Sequence, residues 1–174
     1  MLKKIMIALS VVCLVFLSLF IYHSYFKQKV AYIDVPKVFN DFEMKKELAD
    51  KYKKVEALRS RLLDSLSMDL QLMSSRLRGQ AKPDLNLVKE FDLKRSDFLN
   101  KKRSIEEDNI VLSNQYDKQI LERMSQYVVE FGKQNDYDLI LGADGNGTVM
   151  YAKEMLDISK NVTEYINNKY KGIE

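Results

Sequence analysis

The sequence predicts an α+β protein in which a long antiparallel helical hairpin, the arm, is inserted into a small β body with a C-terminal helix. Three observations support this prediction. Apolar residues recur at the helical period over two long charged segments. A turn containing glycine and proline separates these segments, and short strand-like runs stand before and after them. A length of 174 residues allows one domain with appendages.

The N-terminal strand is predicted at Val30–Val35, where the sequence VAYIDV alternates and is rich in β-branched residues. Pro36 follows, and proline suits the first turn of a helix. From Val38 onward the apolar residues recur with a mean step of about 3.6 residues. This spacing predicts one uninterrupted helix over Lys37–Arg78, about 63 Å long at 1.5 Å per residue.

The second arm helix follows a turn at Gly79–Asp84, where glycine ends one helix and Pro83 and Asp84 are start signals for the next. The following segment again has a period near 3.6, although its apolar stripe is narrow, and it is predicted to be helical as far as Gly132. Two helices of similar length joined by a short turn form an antiparallel hairpin. The predicted arm therefore comprises residues 37–133.

Two further strands are predicted after the arm, at Tyr137–Leu141 and Thr148–Ala152. The segment ADGNG between them is predicted to be the turn of a β-hairpin, because only Asp144 and Asn146 match the ligand positions of a calcium loop. An amphipathic helix with Asp157 as its N-cap ends the chain. Its apolar face carries Ile158, Val162, Tyr165, Ile166 and Tyr170. Residues 27–36 and 134–174 make up the predicted body.

The first 26 residues are predicted to be a membrane anchor or signal segment. Residues 5–22 contain no charged side chain and follow two lysines, and as a helix they would be about 27 Å long, enough to cross a bilayer core. No pair of small residues marks a cleavage site, which favours an uncleaved anchor, with a cleaved signal peptide as the alternative. The lysines place the N-terminus in the cytoplasm and the rest of the chain outside it.

Charge is distributed unevenly along the chain. Residues 51–103 carry 14 Lys and Arg against 7 Asp and Glu, a net charge of +7, whereas residues 104–174 have a net charge of −6. The basic middle suits anionic partners. The only cysteine, Cys13, and the only histidine, His23, lie in the N-terminal segment. With no recognisable nucleophile–base pair, metal cluster or phosphate loop, the sequence predicts no enzyme, metal or cofactor, and export argues against nucleic acid as a partner.

The chain resembles the Skp/OmpH-like periplasmic chaperones over residues 30–170. The similarity lies in VAYIDVPKVFND at the start and in the strand and helix motifs at the end, in the same order. The matching positions are Asp34, Val38 and Phe39, then Tyr137–Leu141, Val149–Ala152, and Asp157–Ser159 with Val162. The resemblance implies a homotrimer shaped like a jellyfish, in which strands from three subunits build a β-barrel body and the arms enclose a cavity.

The function implied by the resemblance is an ATP-independent periplasmic holdase that binds unfolded outer-membrane β-barrel proteins and prevents their aggregation without a cofactor. The residues expected in the trimer body are Ile33, Val35, Leu139, Leu141, Val149 and Tyr151. Adaptable apolar and basic residues near the arm tip are expected to bind clients diffusely. They are Met68, Leu72, Met73, Arg76, Leu77, Arg78 and Lys82. Alternatively, the four apolar ones pack the two arm helices together.

A membrane-tethered coiled-coil spacer or adaptor of the cell envelope is the alternative function. Such a protein would hold two partners apart and bind nothing unfolded. A helix-rich stalk that begins with a membrane anchor is a related alternative, but it does not account for strands at both ends of the hairpin. Anionic lipid and lipopolysaccharide are further candidate partners of the basic arms.

Overall fold

The protein is described here by a computed structural model that covers residues 13–18, 28–79, 82 and 84–173. Its helices and strands are β1 (Val30–Asp34), α1 (Val35–Asp41), α2 (Glu43–Arg78), α3 (Leu85–Gln134), β2 (Leu139–Ala143), a short 3-10 helix (Glu154–Leu156) and α4 (Ser159–Lys171). Helices α2 and α3 form the arm, as predicted. The other elements and the base of the arm form the body.

The predicted N-terminal anchor is described only in part. Residues 13–18 are helical, and the rest of residues 5–22 lies outside the described residues. Within the described ranges, no helix is long and apolar enough to cross a membrane.

The first helix begins at Val35, two residues before its predicted start at Lys37. Asp34 is the N-cap of α1, and its side chain accepts a hydrogen bond from the backbone N–H of Lys37 at 2.9 Å. Pro36 lies in the first turn, where its missing N–H costs nothing. The predicted strand therefore ends at Asp34, one residue earlier than expected.

The prediction of an unbroken helix over Lys37–Arg78 is wrong at one residue. Phe42 has an extended backbone, with φ −73° and ψ 126°, and it separates α1 from α2. Its ring is fully buried and packs edge-to-face against Tyr127, at 6.3 Å between centroids, and against Tyr170, at 5.5 Å. Helical periodicity did not reveal the break because the burial of one aromatic ring outweighs one residue's helix propensity.

The second arm helix agrees closely with its prediction. Asp84 is the N-cap of α3, and its side chain accepts from the N–H of Asn86 at 2.9 Å. The helix ends at Gln134, two residues beyond the expected end at Gly132. Gly132 is buried under β2, where a Cβ would lie 3.3 Å from Cδ1 of Ile140. The glycine therefore permits the sheet to approach the helix.

The predicted β-hairpin is wrong. β2 pairs in parallel with β1, so that Val30 lies opposite Leu139 and Asp34 opposite Ala143. Residues 148–152, the other predicted strand, form bends and irregular structure. Parallel neighbours need a long crossover connection, and the arm supplies it. The short turn segment consequently leads away from β2 and does not fold back along it.

The last helix starts one residue later than predicted. Asp157 is not its N-cap, because α4 begins at Ser159 with Ile158 as the capping residue. The Asp157 carboxylate still accepts the N–H of Ser159 at 2.8 Å and its hydroxyl at 2.5 Å. The same Ser159 hydroxyl accepts the backbone N–H of Asp34 at 2.8 Å. This buried serine therefore joins the end of β1 to the start of α4.

The core lies at the base of the arm, between the sheet, α1, α4 and the arm helices. Its buried apolar residues are Ala31, Ile33, Val38, Phe42, Leu48, Ile120, Met124, Phe131, Ile158, Val162 and Ile166. Three of these come from the predicted apolar face of the last helix, and the remaining members of that face, Tyr165 and Tyr170, pack against the cluster. That predicted face is therefore confirmed.

The contact between Tyr170 and Glu47 ties α4 to the base of α2 and predicts an alkaline pH dependence. The Tyr170 hydroxyl donates to Glu47 at 2.5 Å, and this bond, with burial, raises the pKa of Tyr170 to about 12. Because the folded pKa lies above the unfolded value of about 10, the stabilisation is complete below about pH 10 and is lost toward about pH 12.

We expect the unfolding free energies of wild type and Tyr170→Phe to differ by a constant amount up to about pH 10 and to converge above it. Urea denaturation at a series of pH values measures the difference. Tyr52→Phe is the control, since Tyr52 is a partly buried tyrosine of α2 that belongs to neither the core nor the proposed subunit interface. A Tyr170→Phe difference that stays constant through pH 12 would contradict the assignment.

Candidate functional site

The two-stranded sheet has one face toward the core and one toward solvent. Alternate residues of β1 point outward, and the strand register places Val30 beside Leu139 and Tyr32 beside Leu141. Leu139 is 48% exposed and Leu141 is 38% exposed. These four residues are called the outer sheet face. It presents an apolar strand surface to solvent and contains two of the predicted body residues.

The other four predicted body residues lie elsewhere. Ile33 is 4% exposed and belongs to the core. Val35 begins α1, and its Cγ2 lies 2.9 Å from where a Cβ on Gly142 would be. Val149 and Tyr151 lie in the irregular segment after β2. The structure therefore does not bring the six residues together on one surface of this chain.

The irregular segment after β2 is itself apolar and exposed. Met150 and Tyr151 are each more than four-fifths exposed, as is Met155 in the short 3-10 helix that follows. No strand of the described body pairs with it. The segment and the outer sheet face are two exposed apolar surfaces of the described part of the body.

The turn before this segment is held by its own side chains. The Asp144 carboxylate accepts the N–H of Asn146 at 2.9 Å and the hydroxyl of Thr148 at 3.1 Å. These bonds, the backbone one most, lower the pKa of Asp144. In the part of the chain that the structure describes, no group of three His, Cys, Asp or Glu could hold a metal ion. The Asp144 carboxylate thus stabilises the turn through these hydrogen bonds.

The structure divides the predicted client-binding residues near the arm tip into two sets. Met68 is 65% exposed and Leu72 56% exposed, whereas Met73 is 4% exposed and Leu77 is half-buried. The packing alternative therefore describes Met73 and Leu77 better. The three basic residues are exposed, namely Arg76, Arg78 and Lys82. Exposed apolar and basic side chains thus lie together near the tip.

The arm helices bury side chains fully only near the two ends of the hairpin, and between the ends apolar residues such as Leu66, Leu70 and Phe98 are half-buried. Leu48 of α2 and Ile120 of α3 are buried near the base, and Met73 is buried near the tip. No side chain between residues 49 and 72 of α2, or between 85 and 119 of α3, is buried. A cleft of about 800 Å³ opens between the helices there. It is called the mid-arm cleft.

The mid-arm cleft has apolar walls and charged edges. Its apolar lining consists of Leu62, Leu66, Leu70 and Phe98. Asp69 and Lys94 join the two helices at 2.7 Å, and Lys94 also lies 3.5 Å from Glu90. The hydrogen bond to Asp69 is the main cause of the raised pKa of Lys94.

Sequence periodicity did not identify the exposed leucines of α2. Leu58 and Leu62 belong to the periodic stripe, yet they are 65% and 46% exposed. The feature of the sequence that could have revealed their exposure is the difference in width between the apolar stripes of α2 and α3. The narrow stripe of α3 cannot cover the broader stripe of α2, so part of the latter stays in water.

These features define a class of protein: a small body that carries one long helical hairpin, with exposed apolar side chains on both and an excess of positive charge along the hairpin. The family model "Outer membrane protein (OmpH-like)" matches residues 29–166. The chain belongs to the OmpH-like family.

A solved structure shares the fold. The crystal structure of a candidate outer membrane chaperone (OmpH-like) from Caulobacter crescentus is similar to this chain with a TM-score of 0.71 and 11% sequence identity. The similarity covers 82% of this chain and 85% of that one. At this identity the comparison supports the fold alone. No curated protein sequence matches the chain.

Proposed function

We propose that this chain is an ATP-independent holdase chaperone that binds unfolded outer-membrane β-barrel proteins and prevents their aggregation. One observation carries the proposal: large apolar side chains such as Met68 and Leu72 are exposed on an arm whose residues 51–103 have a net charge of +7. Membership of the OmpH-like family supports the same conclusion.

Such a surface suits an unfolded β-barrel protein. The client exposes apolar strands through which it aggregates. Exposed leucine and methionine side chains offer adaptable, non-directional contacts to these strands. The cations of the arm attract acidic clients over a distance, and their aliphatic stems add apolar area. Binding of this kind requires no catalytic residue and no nucleotide.

The test is light scattering after a urea-unfolded outer-membrane β-barrel protein is diluted with and without the full chain. We expect the chain to suppress scattering, with no effect of added ATP. The double variant Met68→Ser/Leu72→Ser should suppress it less, because both side chains are exposed on the arm. If aggregation proceeds equally with and without the chain, the spacer function replaces this proposal.

We further propose that the holdase is a homotrimer whose subunits pool their strands into a shared barrel. A sheet of two strands is too small to bury its outer face within one chain. The outer sheet face and the exposed segment after β2 supply apolar surface that a neighbouring subunit could cover. Leu139, Leu141 and Tyr151 are the residues of the predicted set that fit this purpose.

The prediction is that light scattering coupled to gel filtration gives three times the chain mass at micromolar concentration, and that Leu141→Lys shifts the protein toward monomer. A lysine there would place a charge in the proposed interface. Leu93→Lys is the control, because Leu93 is 68% exposed on the arm. A monomeric wild type, or equal behaviour of the two variants, contradicts the proposal.

The proposed location is the periplasm. We propose that residues 5–22 anchor the protein in the inner membrane, and the alternative is a cleaved signal peptide that leaves a soluble periplasmic protein. Mass spectrometry of the mature N-terminus distinguishes the two. Anionic lipid and lipopolysaccharide are proposed as additional partners of the basic arm.

A further inference from the structure

We propose that the mid-arm cleft receives one bulky apolar side chain of an unfolded client strand. Each arm would then hold its client at a defined position, in addition to the diffuse contacts along its surface. The identity of the bound chain as an unfolded outer-membrane protein rests on the proposed function. The presence of an apolar side-chain site in the cleft can be tested separately.

The size and lining of the cleft fit such an occupant. Its volume of about 800 Å³ lies within the range of roughly 300–1,000 Å³ of pockets that hold drug-sized ligands, so it has room for one bulky side chain and part of the residues beside it. Leucines of α2 form one wall, and Phe98 of α3 lies on the other. An aromatic or branched side chain of an extended strand can therefore enter between the helices while its backbone stays outside.

The apolar lining of the cleft contacts water, so binding of an apolar side chain there is favourable. Leu62 is 46% exposed, and the other three apolar lining residues, Leu66, Leu70 and Phe98, are half-buried, so all four keep some contact with water. Apolar area that leaves water on binding contributes favourably in proportion to its size. The ion pair of Asp69 and Lys94 joins the two helices at the cleft, so the helices are held together by polar side chains while the apolar walls remain accessible.

The charges around the cleft select the chemistry of the occupant. Asp69 and Lys94 neutralise each other, and Asp97 and Lys101 at the edge also sum to zero. An uncharged apolar group therefore suits the interior. Beyond the edge, the net charge of +7 over residues 51–103 favours carboxylates next to that group. The best occupant is an extended segment with a central aromatic residue and acidic neighbours.

A fluorescence experiment tests the cleft directly. The natural chain has no tryptophan, so Phe98→Trp in the full chain introduces a single reporter in the lining. It is titrated with two synthetic acidic-flanked peptides that differ only by phenylalanine or alanine at the centre. We expect a blue shift with the phenylalanine peptide and at least about tenfold weaker binding of the alanine peptide. Leu93→Trp, at an exposed position of the same helix, should show no shift.

A matched pair of variants tests the cleft with a whole client. Leu62 lines the cleft, whereas Leu58 lies one helical turn away and is more exposed. We expect Leu62→Gln to release an unfolded outer-membrane protein several-fold faster at 1 M salt, where attraction between exposed charges is screened. Leu58→Gln should have a much smaller effect. Circular dichroism checks that both variants keep the helical content of the wild type.

The outcomes separate this inference from the proposed function. If the wild type prevents aggregation but the two glutamine variants release client equally, the holdase stands and the cleft site is wrong. If the wild type does not prevent aggregation, the proposed function is wrong, and the peptide titration alone tests whether the mid-arm cleft binds an apolar side chain. If the Phe98→Trp reporter responds to a fatty acid but not to the peptides, the cleft binds an acyl chain and the inference is wrong. If its emission shifts only with protein concentration, a second copy of the chain occupies the cleft and the inference is also wrong.

Discussion

Replacing Phe42 with alanine is expected to lower the free energy of unfolding by about 3–5 kcal/mol, as is usual when a fully buried aromatic ring is removed. Phe42 is fully buried and lies between Tyr127 of the arm and Tyr170 of the last helix. Its loss leaves a cavity where three parts of the body meet. Because whole domains have only about 5–15 kcal/mol of stability, this single change removes a large fraction of it.

Urea denaturation followed by circular dichroism measures this effect. Phe39→Ala is the matched control, since Phe39 is the neighbouring phenylalanine and only partly buried against the same core. The control should cost clearly less. A loss of under about 1 kcal/mol for Phe42→Ala, the size expected of a surface change, would show that the helix break is not maintained by the burial of this ring.

Reversing three charges at the arm tip is expected to slow client capture by about tenfold or more at low salt, in the range by which electrostatic steering raises association rates. The variant is Arg76→Glu/Arg78→Glu/Lys82→Glu, and all three side chains are exposed. Its stability should change little, because each exposed ion pair contributes only about 0–1 kcal/mol. At 1 M salt the Debye length falls to about 3 Å, so the difference from wild type should largely disappear.

Stopped-flow mixing with a fluorescently labelled, unfolded acidic outer-membrane protein gives the capture rate. The control is Lys133→Glu/Lys153→Glu/Lys160→Glu, which changes the net charge equally but at exposed positions outside the tip. If both triple variants slow capture equally, net charge governs the rate and the tip has no special part. If neither does, electrostatic attraction is not part of capture.

The exposure of the charged residues of the candidate site could be predicted from the sequence. Arg76, Arg78 and Lys82 are exposed as their residue types indicate. The sequence could not distinguish exposed from buried apolar residues near the tip. Met68 and Met73 lie five residues apart on the same helix, yet only Met73 is buried. The choice depends on where α3 packs against α2. The mid-arm cleft likewise follows from the packing of two helices and has no motif of its own.

The sequence by itself determined the two arm helices, the first strand and the apolar face of the last helix, since each depends on periodicity or on a local capping residue such as Asp84. Only the tertiary structure decided the break at Phe42, the parallel pairing of β1 with β2, and the absence of a strand at residues 148–152. These features arise from contacts between segments far apart in the chain. Local propensity contributes a few tenths of a kcal/mol per residue, and burial of a single large ring outweighs it.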